Sequence, residues 1–169
     1  MAKKQRQTNR LIGVISDTHG LMRPEALRAL EGADLIIHAG DIGKPEVVAA
    51  LQSLAKVVAV RGNNDRDPWA RKFPETAVVK TGRITIFVVH DVKQLALDPN
   101  AAGFRVVISG HSHSPSMVER DGVLYLNPGS AGPRRFNLPV AVAKLRLEGS
   151  SVSARIVNVN PSTAAGRNP

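Results

Sequence analysis

An α/β fold of sheets covered by helices is what this chain predicts, and three observations carry it. Five short runs rich in Val, Ile and Leu, at residues 11–15, 35–37, 57–60, 84–89 and 106–108, have the length and β-branched content of buried strands. Helix punctuation between the first three gives a βαβαβ order, and the second half of the chain turns to hairpins. Aromatic residues are only 4% of the 169 while hydrophobic residues are 43%, so the core must be aliphatic, as in sheets that are covered by helices.

Taken in order, residues 1–9 read as a disordered basic arm. Residues 24–31 are predicted helical, with Pro24 in the first turn, where a missing N–H is harmless, and Gly32 as the stop. A helix over 45–54 puts Val47, Val48, Leu51 and Leu54 on one face. Residues 69–74 predict a loop, 78–79 and 84–89 a hairpin across Thr81-Gly82, and 93–102 a short helix broken near Asp98-Pro99. Residues 117–120 and 123–126 flank Asp121-Gly122, the strongest hairpin signal here, because Asp-Gly readily takes the positive φ angles of a type I′ turn. Residues 140–147 and 152–159 flank Glu148-Gly149 in the same way, and 161–169 form a tail of small and polar residues. With no repeat and no linker, a single domain over 10–160 is expected.

Composition narrows the function classes. Cysteine is absent, so disulfides and thiolate metal sites are excluded, and any metal must take nitrogen and oxygen ligands. A cytoplasmic setting fits such a chain. The formal charge of +9 is partly peripheral, with Lys3, Lys4, Arg6 and Arg10 at one end and Arg167 at the other. Basic residues do not interleave with aromatics, so a dedicated nucleic-acid groove is not expected, although the charge would help attract a phosphorylated substrate. The apolar stretch after Arg10 stops at Ile15, too short for a signal peptide, and no run approaches the roughly 20 residues that cross a membrane.

The chemistry lies in polar clusters that directly follow the apolar runs: Ser16-Asp17-Thr18-His19, Gly40-Asp41, Gly62-Asn63-Asn64-Asp65, His90-Asp91 and Gly110-His111-Ser112-His113. Side chains just past the carboxyl ends of neighbouring strands converge on one crevice. Histidine, aspartate and asparagine gathered there, without a thiol, are ligands for a divalent metal. Alone, Asp-x-His is more often a turn cap, Gly-Asp a plain turn and Gly-Asn-Asn-Asp a polar turn. His90 is odd at the end of a buried strand unless paired or coordinated. The alternate histidines 111 and 113 are the most specific piece, since such a pair rarely serves packing.

Together and in this order, the motifs resemble the calcineurin-like metallophosphoesterase superfamily, whose pattern is Asp-x-His, Gly-Asp, Gly-Asn-x-x, an isolated His, and Gly-His-x-His. The match spans Asp17 to His113 and fills all seven metal-ligand positions. Asn127-Pro128-Gly129-Ser130 further resembles its small single-domain bacterial and archaeal phosphodiesterases. The resemblance implies a four-layer α/β/β/α sandwich. It implies that Asp17, His19, Asp41 and His113 hold one metal, that Asp41, Asn63, His90 and His111 hold the second, and that Asp41 bridges them. The expected cofactors are two divalent ions, Mn²⁺ first, with Fe, Ni²⁺ and Zn²⁺ as alternatives. The expected reaction is hydrolysis of a small phosphodiester or nucleotide by a hydroxide bridging the two metals. Alternatives are a phosphomonoesterase, including one acting on dinucleotide polyphosphates or proteins, and a non-catalytic scaffold such as the retromer small subunit, which shares the fold. The oligomeric state is left open.

Two positions depart from the pattern. Asn64 stands where much of the superfamily has a histidine that helps protonate the leaving group or bind phosphate, and an amide cannot act as a general acid. Asp91 follows the isolated histidine where glycine is usual; it could reach the site, hydrogen-bond a ligand histidine or cap the next turn, and capping is the first expectation. His38, the fifth histidine, is a candidate for catalysis with a supporting role favoured, and Arg66 and Arg134 are candidate phosphate binders whose default is the surface.

Overall fold

The computed structural model describes residues 9–160. The arm and tail expected at the two ends lie outside that span, except Asn9, which already pairs in the first strand and is no part of an arm.

β1 (Asn9–Ile15), α1 (Pro24–Leu30), β2 (Leu35–His38), α2 (Pro45–Gln52) and β3 (Lys56–Ala59) form the expected βαβαβ unit. The three strands are parallel and in step, with Ile15 opposite His38 and His38 opposite Ala59, so their carboxyl ends finish level. Both helices begin at proline, whose missing donor would have had no partner in the first turn. They bury Ala26, Leu30, Val47, Val48 and Leu51 against Ile15, Ile36, Ala59 and Val142 of the sheet.

Where a loop was expected, Pro68–Lys72 is a 3₁₀ turn. Trp69 fixes it by packing on the cluster under the helices and meeting Phe73 edge-on, with ring centroids 6.3 Å apart. β4 (Thr76–Thr81) and β5 (Ile84–Val89) form a hairpin whose turn is Gly82-Arg83, one residue later than expected. The helix expected over 93–102 is absent. Only Val92–Gln94 makes a 3₁₀ turn, and Asp98 turns the chain by accepting hydrogen bonds from the N–H groups of Asn100 and Ala101.

β6 (Val106–Ile108), β7 (Ser116–Arg120), β8 (Val123–Asn127), β9 (Ala141–Glu148) and β10 (Ser151–Asn158) complete the chain. Asp121 and Gly122 take φ angles of +49° and +75°, as a type I′ turn requires. The last hairpin turns at Gly149-Ser150, again one residue late.

Two five-stranded sheets result, in the orders β10-β9-β1-β2-β3 and β4-β5-β6-β8-β7. Between them lies an aliphatic core that includes Val14, Ile37 and Leu145 from the first sheet and Ile86, Val88, Ile108 and Leu126 from the second. Helices cover the other face of the first sheet. The outer face of the second is covered more thinly, by Leu95 and Phe104 on Phe87, Val89 and Val107. This is the layered α/β sandwich expected, with unequal outer layers.

Candidate metal centre

Beyond the last paired residues, the loops after β1 and β2 continue side by side. Ala39 N–H donates to Ile15 O, Asp17 N–H to Gly40 O, His19 N–H to Asp41 O and Gly20 N–H to Ile42 O, all at 2.8–3.0 Å. This ladder runs through left-handed backbone: Asp17, His19 and Asp41 have φ of +54°, +46° and +54°, and His111 and His113 have +67° and +60°. Asp and His are among the few side chains that tolerate such angles, which here aim them at one point.

In one half of the cluster, the Nε2 atoms of His19 and His113 face each other at 3.3 Å, and Asp17 Oδ1 lies 3.9 Å and 3.3 Å from them. In the other half, Asn63 Oδ1 is 3.1 Å from both His90 Nε2 and His111 Nδ1. Asp41 Oδ2 stands between the halves, 3.8 Å from His19 Nε2 and 3.4 Å from His90 Nε2. Atoms bound to one ion at about 2.0–2.2 Å end up roughly 3 Å apart, the spacing of these converging lone pairs.

Asp17 Oδ1 is buried without a hydrogen-bond partner, while His90 Nε2 lies 4.0 Å away, near the other imidazoles. An orphaned carboxylate oxygen among imidazole nitrogens is satisfied by a cation. The donor set therefore fits a divalent metal. Asp17, His19 and His113, and likewise Asp17, Asp41 and His90, each bring three ligand atoms within 4.8 Å of one another.

The electrostatics agree. Burial opposes ionisation of Asp41, but His90 and the two amide donors of Asn64 outweigh it and hold the carboxyl well below its usual range. Asp17 is lowered too, where burial is outweighed by His113, Ser16 and His90. Burial pushes His19 below its ordinary value. His90 goes the other way, because Asp41 outweighs its burial. Both carboxylates are thus charged at neutral pH.

Packing under the cluster leaves no room for a side chain at several glycines, Gly62 and Gly110 among them. A Cβ at Gly62 would enter the Asp41 carboxylate and backbone, and one at Gly110 would enter Ser16 Oγ and the Asp17 carboxylate.

All seven expected ligand residues come together at the strand ends. Asn64 does too, but as a brace: its backbone N–H donates to Asp41 Oδ1 at 2.9 Å and its Nδ2 to Oδ2 at 2.7 Å. His38 does not reach the crevice. It is fully buried, its Nδ1 accepts from Gly40 N–H at 3.1 Å, and Nε2 is therefore the protonated nitrogen that meets Thr18 Oγ1 at 2.9 Å. Burial drives its pKa to about 4. His38 thus lies beneath the loops that carry the centre, where the favoured supporting role would place it. Asp91 caps the 3₁₀ turn through Lys93 N–H at 3.0 Å, and its other oxygen lies 3.9 Å from His111 Nε2. Arg66 Nε donates to Asn63 O at 2.9 Å, and Arg134 is exposed.

Two supports escaped the sequence reading. The buried Asp65 carboxylate accepts from the N–H groups of Ile42, Gly43 and Gly62 at 3.0, 3.0 and 2.8 Å, tying the loop after β2 to the loop after β3. Asn127 Nδ2 donates to Gly110 O at 2.8 Å and Ser112 Oγ at 3.1 Å, steadying the loop that carries His111 and His113. The signal for Asp65 was its place in the Gly62 turn; Asn127 stood out only through a motif.

Residues 11–150 match the calcineurin-like phosphoesterase superfamily domain. The chain is 36% identical to a probable metallophosphoesterase of Methanothermobacter thermautotrophicus, over 87% of this chain and 91% of that protein. An archaeal phosphodiesterase of known structure is 25% identical with a TM-score of 0.72, covering 87% of this chain and 99% of that one. Vps29 of Entamoeba histolytica, solved with zinc, is 26% identical with a TM-score of 0.69, covering 89% and 99%. On this match and on the residues gathered at its strand ends, the chain belongs to the calcineurin-like metallophosphoesterase superfamily.

Proposed function

We propose that this protein is a metal-dependent phosphodiesterase acting on a small phosphodiester or nucleotide. The observation that carries it is the filled donor set, with the orphaned Asp17 Oδ1 facing imidazoles and Asp41 placed between the two halves. In this reading Asp17, His19, Asp41 and His113 hold one divalent ion, and Asp41, Asn63, His90 and His111 hold the other. Mn²⁺ is the first choice, ahead of Fe, Ni²⁺ and Zn²⁺, for a thiol-free nitrogen and oxygen set. Two such ions would activate water and neutralise phosphate charge.

The chain's own residues do the rest. Ser16 Oγ at 2.7 Å and His111 N–H at 3.1 Å hold Asp17 Oδ2, which leaves Oδ1 aimed inward. Asn64 fixes both oxygens of Asp41 and has no proton to give a departing alkoxide. That supports activated esters over alkyl phosphomonoesters. A cytoplasmic setting, read from the cysteine-free composition, goes with this function.

Mn²⁺-dependent turnover of bis(p-nitrophenyl) phosphate, faster than that of p-nitrophenyl phosphate, is the expected result. The reverse preference would support a phosphomonoesterase. The likeness to Vps29 keeps a non-catalytic scaffold as the second reading, and no turnover of either ester with any of the four metals would favour it.

A further inference from the structure

Two grooves diverge from the candidate centre and meet at Asp91 and His111. One, of about 380 Å³, runs over Asn63 and His90 to Arg61 and Glu75. The other, of about 470 Å³, runs from Ser112 across the outer face of the second sheet to Val118, Tyr125 and Arg120, with Lys93 on its wall. It exists because Leu95 and Phe104 cover Phe87, Val89 and Val107 but stop short of β7. On β7, Ser116, Val118 and Arg120 share that open face with Asn127, Tyr125 and Val123, their partners on β8.

The grooves differ in charge. In the first, Arg61 is taken up by Glu75 at 2.9 Å. In the second, neither Lys93 nor Arg120 has a carboxylate partner among the described residues. The Arg120 guanidinium lies 5.7 Å from the centre of the Tyr125 ring, which leaves its charge free. Asp91, the one carboxylate along this groove, is engaged by Lys93 N–H and faces His111. Two free cations beside an apolar wall suit an anion carried on a larger body.

We propose that the second groove binds one arm of the phosphodiester, a nucleoside-sized group bearing a further phosphate. Arg120 and Lys93 take that phosphate, and Tyr125 and Val118 line the body of the group. The proposal rests on the phosphodiesterase reading. The two ester groups of a diester diverge from phosphorus as the grooves diverge at His111, whereas a phosphomonoester has only one arm to place. An uncharged second arm would leave both cations without a partner.

The test has a binding arm and a kinetic arm. By calorimetry on metal-free protein, thymidine 3′,5′-bisphosphate should bind more tightly than thymidine. Arg120→Ala should weaken that binding by about tenfold, and Arg146→Ala, at a cation of β9, should leave it unchanged. With Mn²⁺ loaded, Arg120→Ala should lower the ratio of kcat/KM for a 5′-phosphorylated thymidine dinucleotide to that for bis(p-nitrophenyl) phosphate by about tenfold, through KM. Equal binding by wild type and Arg120→Ala, or an equal loss in Arg146→Ala, would overturn the groove assignment. So would an unchanged ratio. If the loaded protein hydrolyses neither ester, the phosphodiesterase reading fails, and the bisphosphate measurement on metal-free protein still decides the groove.

Discussion

The side chains of Asp17 and His113 are 0% and 7% exposed, whereas that of His111 is 46% exposed and Asn63 lies open to solvent. The two halves of the centre thus differ in how they are held. The buried half joins the paired loops after β1 and β2 to His113 on the loop after β6, with Ser130 Oγ donating to Asp17 O at 2.9 Å beneath it. The other half adds two exposed donors, Asn63 on the loop after β3 and His111, to His90, which is 7% exposed like His113, and Arg66 and Asn127 brace the loops that carry the exposed pair. A rigid, desolvated donor set binds an ion more tightly than a set that solvent and substrate can reach. If the centre holds two ions as proposed, the difference teaches that one should be resident and the other exchangeable.

The largest expected effect is at the residue the halves share. Asp41→Asn should remove both ions and lower activity beyond the roughly 10–100-fold expected of a supporting residue, the range in which His38→Ala should fall. Elemental analysis and steady-state rates check this. Equal losses, with fold and metal content intact, would contradict the shared role of Asp41.

Within the halves, His113→Ala should abolish the tighter step of a Mn²⁺ titration, and His111→Ala the weaker one. Calorimetry would break the comparison if both variants lost the same step.

Acid should separate the halves as well. Because Asp41 raises the pKa of His90, a proton competes with the ion there at higher pH than at an ordinary histidine. His19 is lowered, so it stays neutral further into acid. As pH falls, the exposed-half ion should leave first, which stoichiometry against pH would show.

His38 adds a stability effect in the same direction. Its folded pKa of about 4 lies below the unfolded value of 6.5, so as pH falls from 6.5 to 4 the unfolded chain takes up a proton that the folded chain does not. Metal-free protein should lose up to roughly 3 kcal/mol across that window, and His38→Asn should flatten the dependence of Tm on pH there.

The smallest effect is at Asn64. Asn64→His should favour esters with basic leaving groups by a few-fold relative to bis(p-nitrophenyl) phosphate, less than a free proton donor would give, because the amide contact to Asp41 is lost. An equal change for both substrates would remove the leaving-group argument.

The strands and the ligand clusters were legible because each leaves a local mark: a β-branched run, then a polar motif. The failures share a cause. The 93–102 helix gave way to Asp98, whose side chain offered nearby N–H groups a partner outside any helix. The 3₁₀ turn at Pro68 depends on Trp69 finding a distant cluster. Pairing register placed two of the three hairpin turns one residue later than the glycine suggested. For His38 the sequence favours a supporting role, and its burial, with both ring nitrogens hydrogen-bonded inside the protein, goes with that reading. Asp65 and Asn127 bond to backbone brought near by folding, and a sequence cannot display those partners.

Five of the expected ligands have left-handed backbone, a conformation that disfavours an L side chain by about 1–2 kcal/mol relative to glycine. Asp65, Asn127 and the doubled loops tie down the backbone that carries those angles. With the loops held by bonds inside the protein, metal loading should leave the fold unchanged, which circular dichroism before and after Mn²⁺ addition would check. The same strain makes the metal face a reserve of stability. A chain with glycine at His111 could melt higher than the natural one without metal, and that gain would mark what the fold forgoes to keep its ligands aimed.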